Sequence, residues 1–219
     1  MNQTNESRRN FLKRATVAAL AFPLLINCKN DASAQKTSEN ILDLIKKNAK
    51  PAGAEGMGAI DAPNDVSWKT VLSTDADKGE KMLISGTVFE ADGKTPAPNV
   101  LIYIYHTDIE GYYGRKSGEH KHGRYRGWML TDAKGRYEFQ TIKPAPYPEN
   151  RFAAHIHTTL TTAKMREDWI DNYLFEGDML ISARERAEAG KKGGFNPILT
   201  LERKGGVLSG IRDIALPRA

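Results

Sequence analysis

A single cysteine, Cys28, serves all 219 residues, so no disulfide can form within the chain. Long hydrophobic runs are missing too. The apolar stretch from Ala15 to Ile26 is too short to span a membrane as a mature helix. Charge of one sign is not in real excess. Setting aside residues 1–34 removes Arg8, Arg9, Lys13, Arg14 and Lys29 along with Glu6 and Asp31, and the formal charge falls from +5 to +2. The basic balance therefore gives no support for nucleic-acid binding. No nucleophile elbow and no phosphate-cradling glycine loop occurs, which argues against a serine hydrolase or a P-loop enzyme. Histidine is sparse at five residues, and two of them stand one apart in "RFAAHIHTTL".

What is present begins with a leader. "SRRNFLKRATVAALAFPLLINC" has a basic start, an apolar run and then the small residues of "ASAQ", the layout of an export signal. The pair Arg8-Arg9, in its Ser7 to Lys13 setting, looks like a twin-arginine signal, which implies an exported, periplasmic protein. Cleavage after Ala34 and lipidation of Cys28 are both expected routes. Asn27 immediately before Cys28 fits a lipidation site poorly and favours cleavage, leaving Cys28 as the alternative lipid anchor.

Residues 35–80 read as a short helix and an arm. "SENILDLIKKNAK" offers Ser38 as N-cap, and "PAGAEGMGAIDAPND" is rich in turn formers. From 81 to 219 the pattern becomes short strands bounded by turns. "MLISGTVFE" and "VLIYIYH" read as strands, "GWMLT" and "RYEFQTI" as a hairpin closed by "DAKG", and "AAHIHTTLT" as a further strand. "NPILTLER" and "LSGIRDIAL" flank "KGG", and a helix is expected at "ISARERAEA". The fold class is therefore all-β, a β-sandwich with an N-terminal arm and one short helix near the C-terminal hairpin.

In a strand, residues i and i+2 share a face, so His155 and His157 can reach one ion. Taken alone, such a pair more often faces solvent. No carboxylate occurs after them before Glu167, so a two-histidine, one-carboxylate site is disfavoured. His120 and His122, in "GEHKHGRYRG", read as a solvated loop, with a copper or zinc site there the lesser alternative. Two tyrosines complete a set: Tyr147 in the proline-rigid "IKPAPYPEN", and Tyr113 in "DIEGYYG". A phenol has a pKa of about 10, so only a strong Lewis acid ionises and binds it at neutral pH. Two phenolates with two imidazoles favour Fe(III) over Fe(II), Zn(II) or Cu(I).

These pieces resemble the intradiol ring-cleavage dioxygenases, the catechol and protocatechuate type. The resemblance runs through "ISGTVFEADGKTPAPNVLIYIYHTDIEGYYG", "RGWMLTDAKGRYEFQTIKPAPYP", "AHIHTTLT" and "YLFEGD", about half of the chain beyond the leader. It implies a transthyretin-like sandwich and a mononuclear non-haem Fe(III) held by Tyr113, Tyr147, His155 and His157, with Tyr113 rather than its neighbour Tyr112 at the ligand position. It further implies cleavage of a catechol between its hydroxyl-bearing carbons by O2, giving a muconate-type diacid, with Tyr147 also serving as a base. The chain departs from the family at one place. An arginine is usual three residues before the first histidine, where Phe152 stands here; the nearest arginine, Arg151, is one residue earlier and is the candidate to replace it. A one-residue slip in a strand turns a side chain to the opposite face. Either a bulge restores Arg151, or the pocket is more apolar than usual. Arg115, Arg124 and Trp169 are the other expected substrate contacts. The competing reading is a sandwich that holds ferric iron or a catechol or siderophore without cleaving it, and a homo-oligomer is left open.

Overall fold

The computed structural model describes residues 41–51, 54–114, 120–149 and 151–218. Alternation sets the first sheet. In β2 (Lys81–Phe89), Met82, Ile84 and Val88 are fully buried on one face. It pairs antiparallel with β5 (Arg136–Ile142), which carries β1 (Lys69–Val71) in parallel on its far side. On the other edge of β2 lie β11 (Val207–Ile211) and then β10 (Glu202–Lys204), a hairpin turning through Gly205-Gly206, with β12 (Ile214–Ala215) pairing further along β2.

The second sheet has the order β4 (Arg126–Leu130), β3 (Leu101–His106), β6 (Ile156–Thr161), β7 (Asp168–Trp169), all antiparallel. Ile102 and Ile104 of β3, Met129 of β4, and Ile156 and Leu160 of β6 meet Met82, Ile84, Tyr137 and Phe139 of the first sheet in one core. The all-β sandwich expected from the strand pattern is thus present. A short parallel pair, β8 (Leu174–Phe175) with β9 (Ile198–Leu199), leads into and out of the segment holding α2 (Ala183–Glu188). Ser182 caps α2, accepting from Glu185 N–H while the Glu185 carboxylate accepts from Ser182 N–H.

Every residue of β3 is buried, because its outer face is covered as well. Helix α1 (residues 41–46) and the arm supply Leu42, Ile45, Ala59 and Ala62, which pack on Leu101 beside Trp128. The expected N-cap of α1, Ser38, and the whole leader with Cys28 lie outside the described residues. The arm is pinned by one carboxylate. Glu167, only 1% exposed, accepts from Gly58 N–H (2.8 Å), Ala59 N–H (3.0 Å), Lys50 N–H (3.1 Å) and Thr159 Oγ1–H (3.0 Å). No helix among the described residues is long and apolar enough to cross a membrane.

Two sequence expectations change. The "DAKG" turn forms, with Gly135 N–H donating to Asp132 O at 2.9 Å, but β4 and β5 do not pair with each other. They enter opposite sheets, so the turn is an arch across the core that lets Met129 and Phe139 enter it from opposite sides. Residues 69–71, read as part of the arm, form β1 and complete the first sheet.

Candidate metal centre

His157 lies on the outer face of β6, directly across from Tyr105 of β3. His155 precedes the strand by one residue, and its side chain reaches the same point: the two Nε2 atoms are 3.1 Å apart. His155 Nδ1–H donates to Ala153 O at 2.6 Å, which fixes the tautomer and leaves Nε2 as a bare lone pair. Asn172 lines the same cavity wall as His157. Both histidines are half-buried and turn toward each other at a cavity wall, and not outward into bulk solvent as the pair taken alone would suggest.

The phenols arrive on two loops locked together by a close approach. Gly111, at φ 85°, sits so near Pro146 O that a Cβ would lie 2.2 Å from it. Thr107 Oγ1–H also donates to Ala145 O at 2.7 Å, tying the Tyr113 loop to the proline turn of Tyr147. Behind Tyr113, Gly123 at φ 66° leaves no room for a Cβ against Tyr113 O. The two hydroxyls consequently hydrogen-bond each other. Tyr147 Oη lies 3.2 Å from His157 Nε2 and 3.3 Å from His155 Nε2. Tyr112, by contrast, is 46% exposed.

Four donor atoms therefore converge. Around one ion with bonds of about 2.0–2.1 Å, neighbouring ligand atoms fall about 2.9–3.4 Å apart. The Tyr147–His157, Tyr147–His155 and His155–His157 spacings match this range, while the two phenol oxygens lie closer together as a direct hydrogen bond. The electrostatics suit the same role. Burial pushes both phenols above the ordinary tyrosine range and depresses both imidazoles, His157 to about 3 with His155 adding to the effect. At neutral pH the histidines are neutral donors, and the phenols need a strong Lewis acid to ionise. Among the described residues no cluster of three or more His, Cys, Asp and Glu could hold a metal.

A cavity of about 570 Å³ opens on one side, lined by Tyr147, His155 and His157 with Phe152, Trp169 and Asn172 among its other walls. Two smaller cavities, about 480 and 440 Å³, reach Tyr147 from elsewhere. The substrate-contact expectations divide. Trp169 stands edge-on to His157 at 5.4 Å, and Phe152 stands edge-on to Tyr147 at 6.2 Å. Arg151 is exposed and is not among the residues lining the cavity; Phe152 takes its place there, in a wall that also carries Asp171, Glu185, Glu188 and Lys192. Arg124 is also turned away, its Nη2–H donating to Asp77 Oδ2 at 2.6 Å and its guanidinium lying over Tyr125. Arg115 lies outside the described residues.

The Asp77 cluster makes a pH-dependent contribution of its own. Burial alone would raise this carboxyl, but Thr74 N–H and Arg124 outweigh it and hold it at about 2. A depressed carboxyl stabilises the fold above its unfolded value near 4 and loses that contribution as pH falls through its folded value. The melting temperature should therefore drop between about pH 4 and pH 2, and Asp77→Asn should flatten that part of the curve. Superimposable profiles would show that the cluster contributes nothing.

Three neighbours of the centre carried no signal recognised in sequence: Tyr105, Asn172 and His122. His122, expected in a solvated loop, is 5% exposed and stacks on Tyr105 with ring centroids 3.9 Å apart. The burial arises because Tyr103 Oη pairs with His122 Nδ1 at 2.6 Å and draws the imidazole onto the sheet.

The family model described as "Dioxygenase" matches residues 59–195. The chain is 34% identical to the catechol 1,2-dioxygenase of Acinetobacter baylyi over 104 residues, covering 46% of this chain and 33% of that one. It is 30% identical to the protocatechuate 3,4-dioxygenase beta chain of Burkholderia cepacia over 140 residues, 59% of this chain and 58% of that one. The chain thus spans about a third to three fifths of the length of these relatives. Its fold resembles that of catechol 1,2-dioxygenase from Pseudomonas arvilla C-1, with a TM-score of 0.55 and 22% identity over 70% of this chain and 57% of that one. It also resembles the dioxygenase domain of a carbohydrate-binding fusion from Streptomyces sp. SirexAA-E, with a TM-score of 0.53 and 21% identity over 78% of this chain and 97% of that one.

Proposed function

The chain belongs to the intradiol ring-cleavage dioxygenases, and from that premise we propose that it uses Fe(III) and O2 to cut a catechol-type ring between its two hydroxyl-bearing carbons, yielding a muconate-type diacid. The observation that carries the reading is the convergence of two phenol oxygens and two imidazole nitrogens on the wall of a cavity large enough for an aromatic diol.

A ferric ion bound by Tyr113, Tyr147, His155 and His157 would supply the Lewis acidity that ionises the phenols and activates a catechol. The chain does the rest. His155 and His157 present neutral lone pairs, one fixed by Ala153 O and the other on a ring stacked against Tyr105. Tyr113 has its backbone packed against Gly123 and borders two of the cavities, whereas Tyr147 borders all three, including the largest of them, and has the more open surroundings. Tyr147 Oη is accordingly the atom that receives a proton from an incoming catechol hydroxyl. Phe152, Trp169, Ile170 and Leu174 give the ring an apolar bed. The leader motif supports a periplasmic setting for this chemistry.

Phe152 at the cavity wall, where the family resemblance calls for an arginine, favours one second reading, a module that binds a catechol or a siderophore without cleaving it. Two measurements decide. The purified protein should be red-brown from tyrosinate-to-iron charge transfer and contain about one iron per chain, as four ligands to one ion require. A protein that stays colourless after ferric reconstitution would remove both readings. With a panel of catechols, oxygen uptake of about one O2 per ring consumed supports the enzyme; colour change on binding without uptake supports the module.

A further inference from the structure

Beyond the four ligand-type residues, one side chain touches two of them and a third buried ring. Tyr105 lies opposite His157 in the β3–β6 register and stacks on its imidazole, ring centroids 4.6 Å apart and planes within 25°. The same ring packs against Tyr113 at 5.5 Å. On its other side His122 lies almost parallel to it, at 3.9 Å and 9°. His122 is itself held by Tyr103, which in turn stacks on Trp128 at 5.3 Å. Trp128 Nε1–H donates to Gly58 O of the arm at 2.8 Å. A column of rings thus runs from the arm to the candidate centre. Directly opposed cross-strand rings restrict each other's rotation, and an imidazole gripped on its face keeps Nε2 aimed along one line.

We propose that Tyr105 is the positioning residue of this centre: clamped by His122 and Tyr103, it holds His157 and Tyr113 in ligating orientation. Its contribution comes from the ring and not from the hydroxyl, so phenylalanine should serve in its place. His122 belongs to the site as the backing of that ring, not as a ligand. The inference rests on the ferric reading only in calling His157 and Tyr113 ligands; the grip itself is a property of the metal-free chain.

The test compares the full chain with Tyr105→Phe, Tyr105→Leu and His122→Ala, each first checked for a parent-like far-UV spectrum and melting transition. Ferric affinity, measured by chelator competition, should fall roughly 10- to 100-fold in Tyr105→Leu, the usual cost of losing a side chain that orients a ligand. The charge-transfer band should shift in the same variant, while Tyr105→Phe keeps the parent's affinity and band. His122→Ala should fall between them. In the metal-free protein, the His157 ring resonances should report a fixed imidazole in the parent and in Tyr105→Phe, and a rotating one in Tyr105→Leu. A folded Tyr105→Leu protein with a parent-like band, affinity and His157 ring order overturns the proposal. Should the parent bind no ferric iron, the proposed function fails, and the metal-free ring measurement alone decides on the grip: a fixed His157 in Tyr105→Leu refutes it. A Tyr105→Phe protein as impaired as Tyr105→Leu also overturns it, by assigning the role to the hydroxyl.

Discussion

Tyr147→Phe is expected to reduce ring cleavage by about two to four orders of magnitude, the range in which a positioned proton acceptor contributes. Removing one oxygen deletes a donor atom from the centre and the acceptor for the catechol proton together. The backbone should not register the change, because the proline turn is held by Thr107 Oγ1 and by the packing of Gly111 against Pro146 O, not by the phenol. Tyr113→Phe provides the contrast. Its oxygen hydrogen-bonds that of Tyr147, but its backbone packs against Gly123 and its side chain borders only two of the three cavities, which leaves it less room to move. Tyr113→Phe should therefore act mainly on iron content and colour, and Tyr147→Phe on turnover per bound iron. Single-turnover rates normalised to iron separate the two. Parent-like kinetics and colour in Tyr147→Phe would falsify the assignment of this tyrosine.

The difference between these residues marks how far the sequence could be read. Tyr113, Tyr147, His155 and His157 were legible because each sits in a short local pattern: a glycine loop, a proline turn and an i, i+2 pair. That the four meet was legible only through resemblance, since nothing local says that the loop after β3 lies against the turn after β5. The strands themselves follow from alternation, but alternation does not say which sheet a strand joins. The "DAKG" turn therefore looked like a hairpin although β4 and β5 part across the core. His122 failed for a related reason. Its neighbours are glycine and charge, the signature of a solvated loop, and its burial depends on Tyr103, nineteen residues away on β3. Phe152 was visible as a departure, and only the structure settled which of it and Arg151 meets the cavity.

Glu167 presents the same lesson as a matter of energy, and Glu167→Ala should be the most destabilising single substitution outside the sandwich core. In sequence it was simply the first carboxylate after the histidine pair, too far along to be a ligand. In the structure it accepts three backbone N–H groups of the arm and one hydroxyl of β6 in a site with almost no exposure. Truncation leaves these donors without a partner. Each buried donor left unsatisfied costs about 1–3 kcal/mol, with water entering the vacated space to relieve part of it, so a net loss of roughly 3–5 kcal/mol is expected. For a domain of this size that corresponds to a fall in melting temperature of about 10 °C or more. Glu167→Gln keeps one carbonyl oxygen for Gly58 and Ala59 but offers Lys50 N–H a donor in place of an acceptor, so it should recover only part of the loss. Urea midpoints order the three proteins, and limited proteolysis locates the damage, since cleavage should concentrate in the arm around residues 54–62 while the sandwich stays intact. Because Gly58 O holds Trp128 and Trp128 stacks on Tyr103, the freed arm should also loosen the ring column and weaken ferric binding in a protein whose ligands are untouched. An alanine variant with the parent's urea midpoint and the parent's protease resistance would mean that the arm is held by its apolar contacts with Leu101 alone, with the buried carboxylate contributing no net stability.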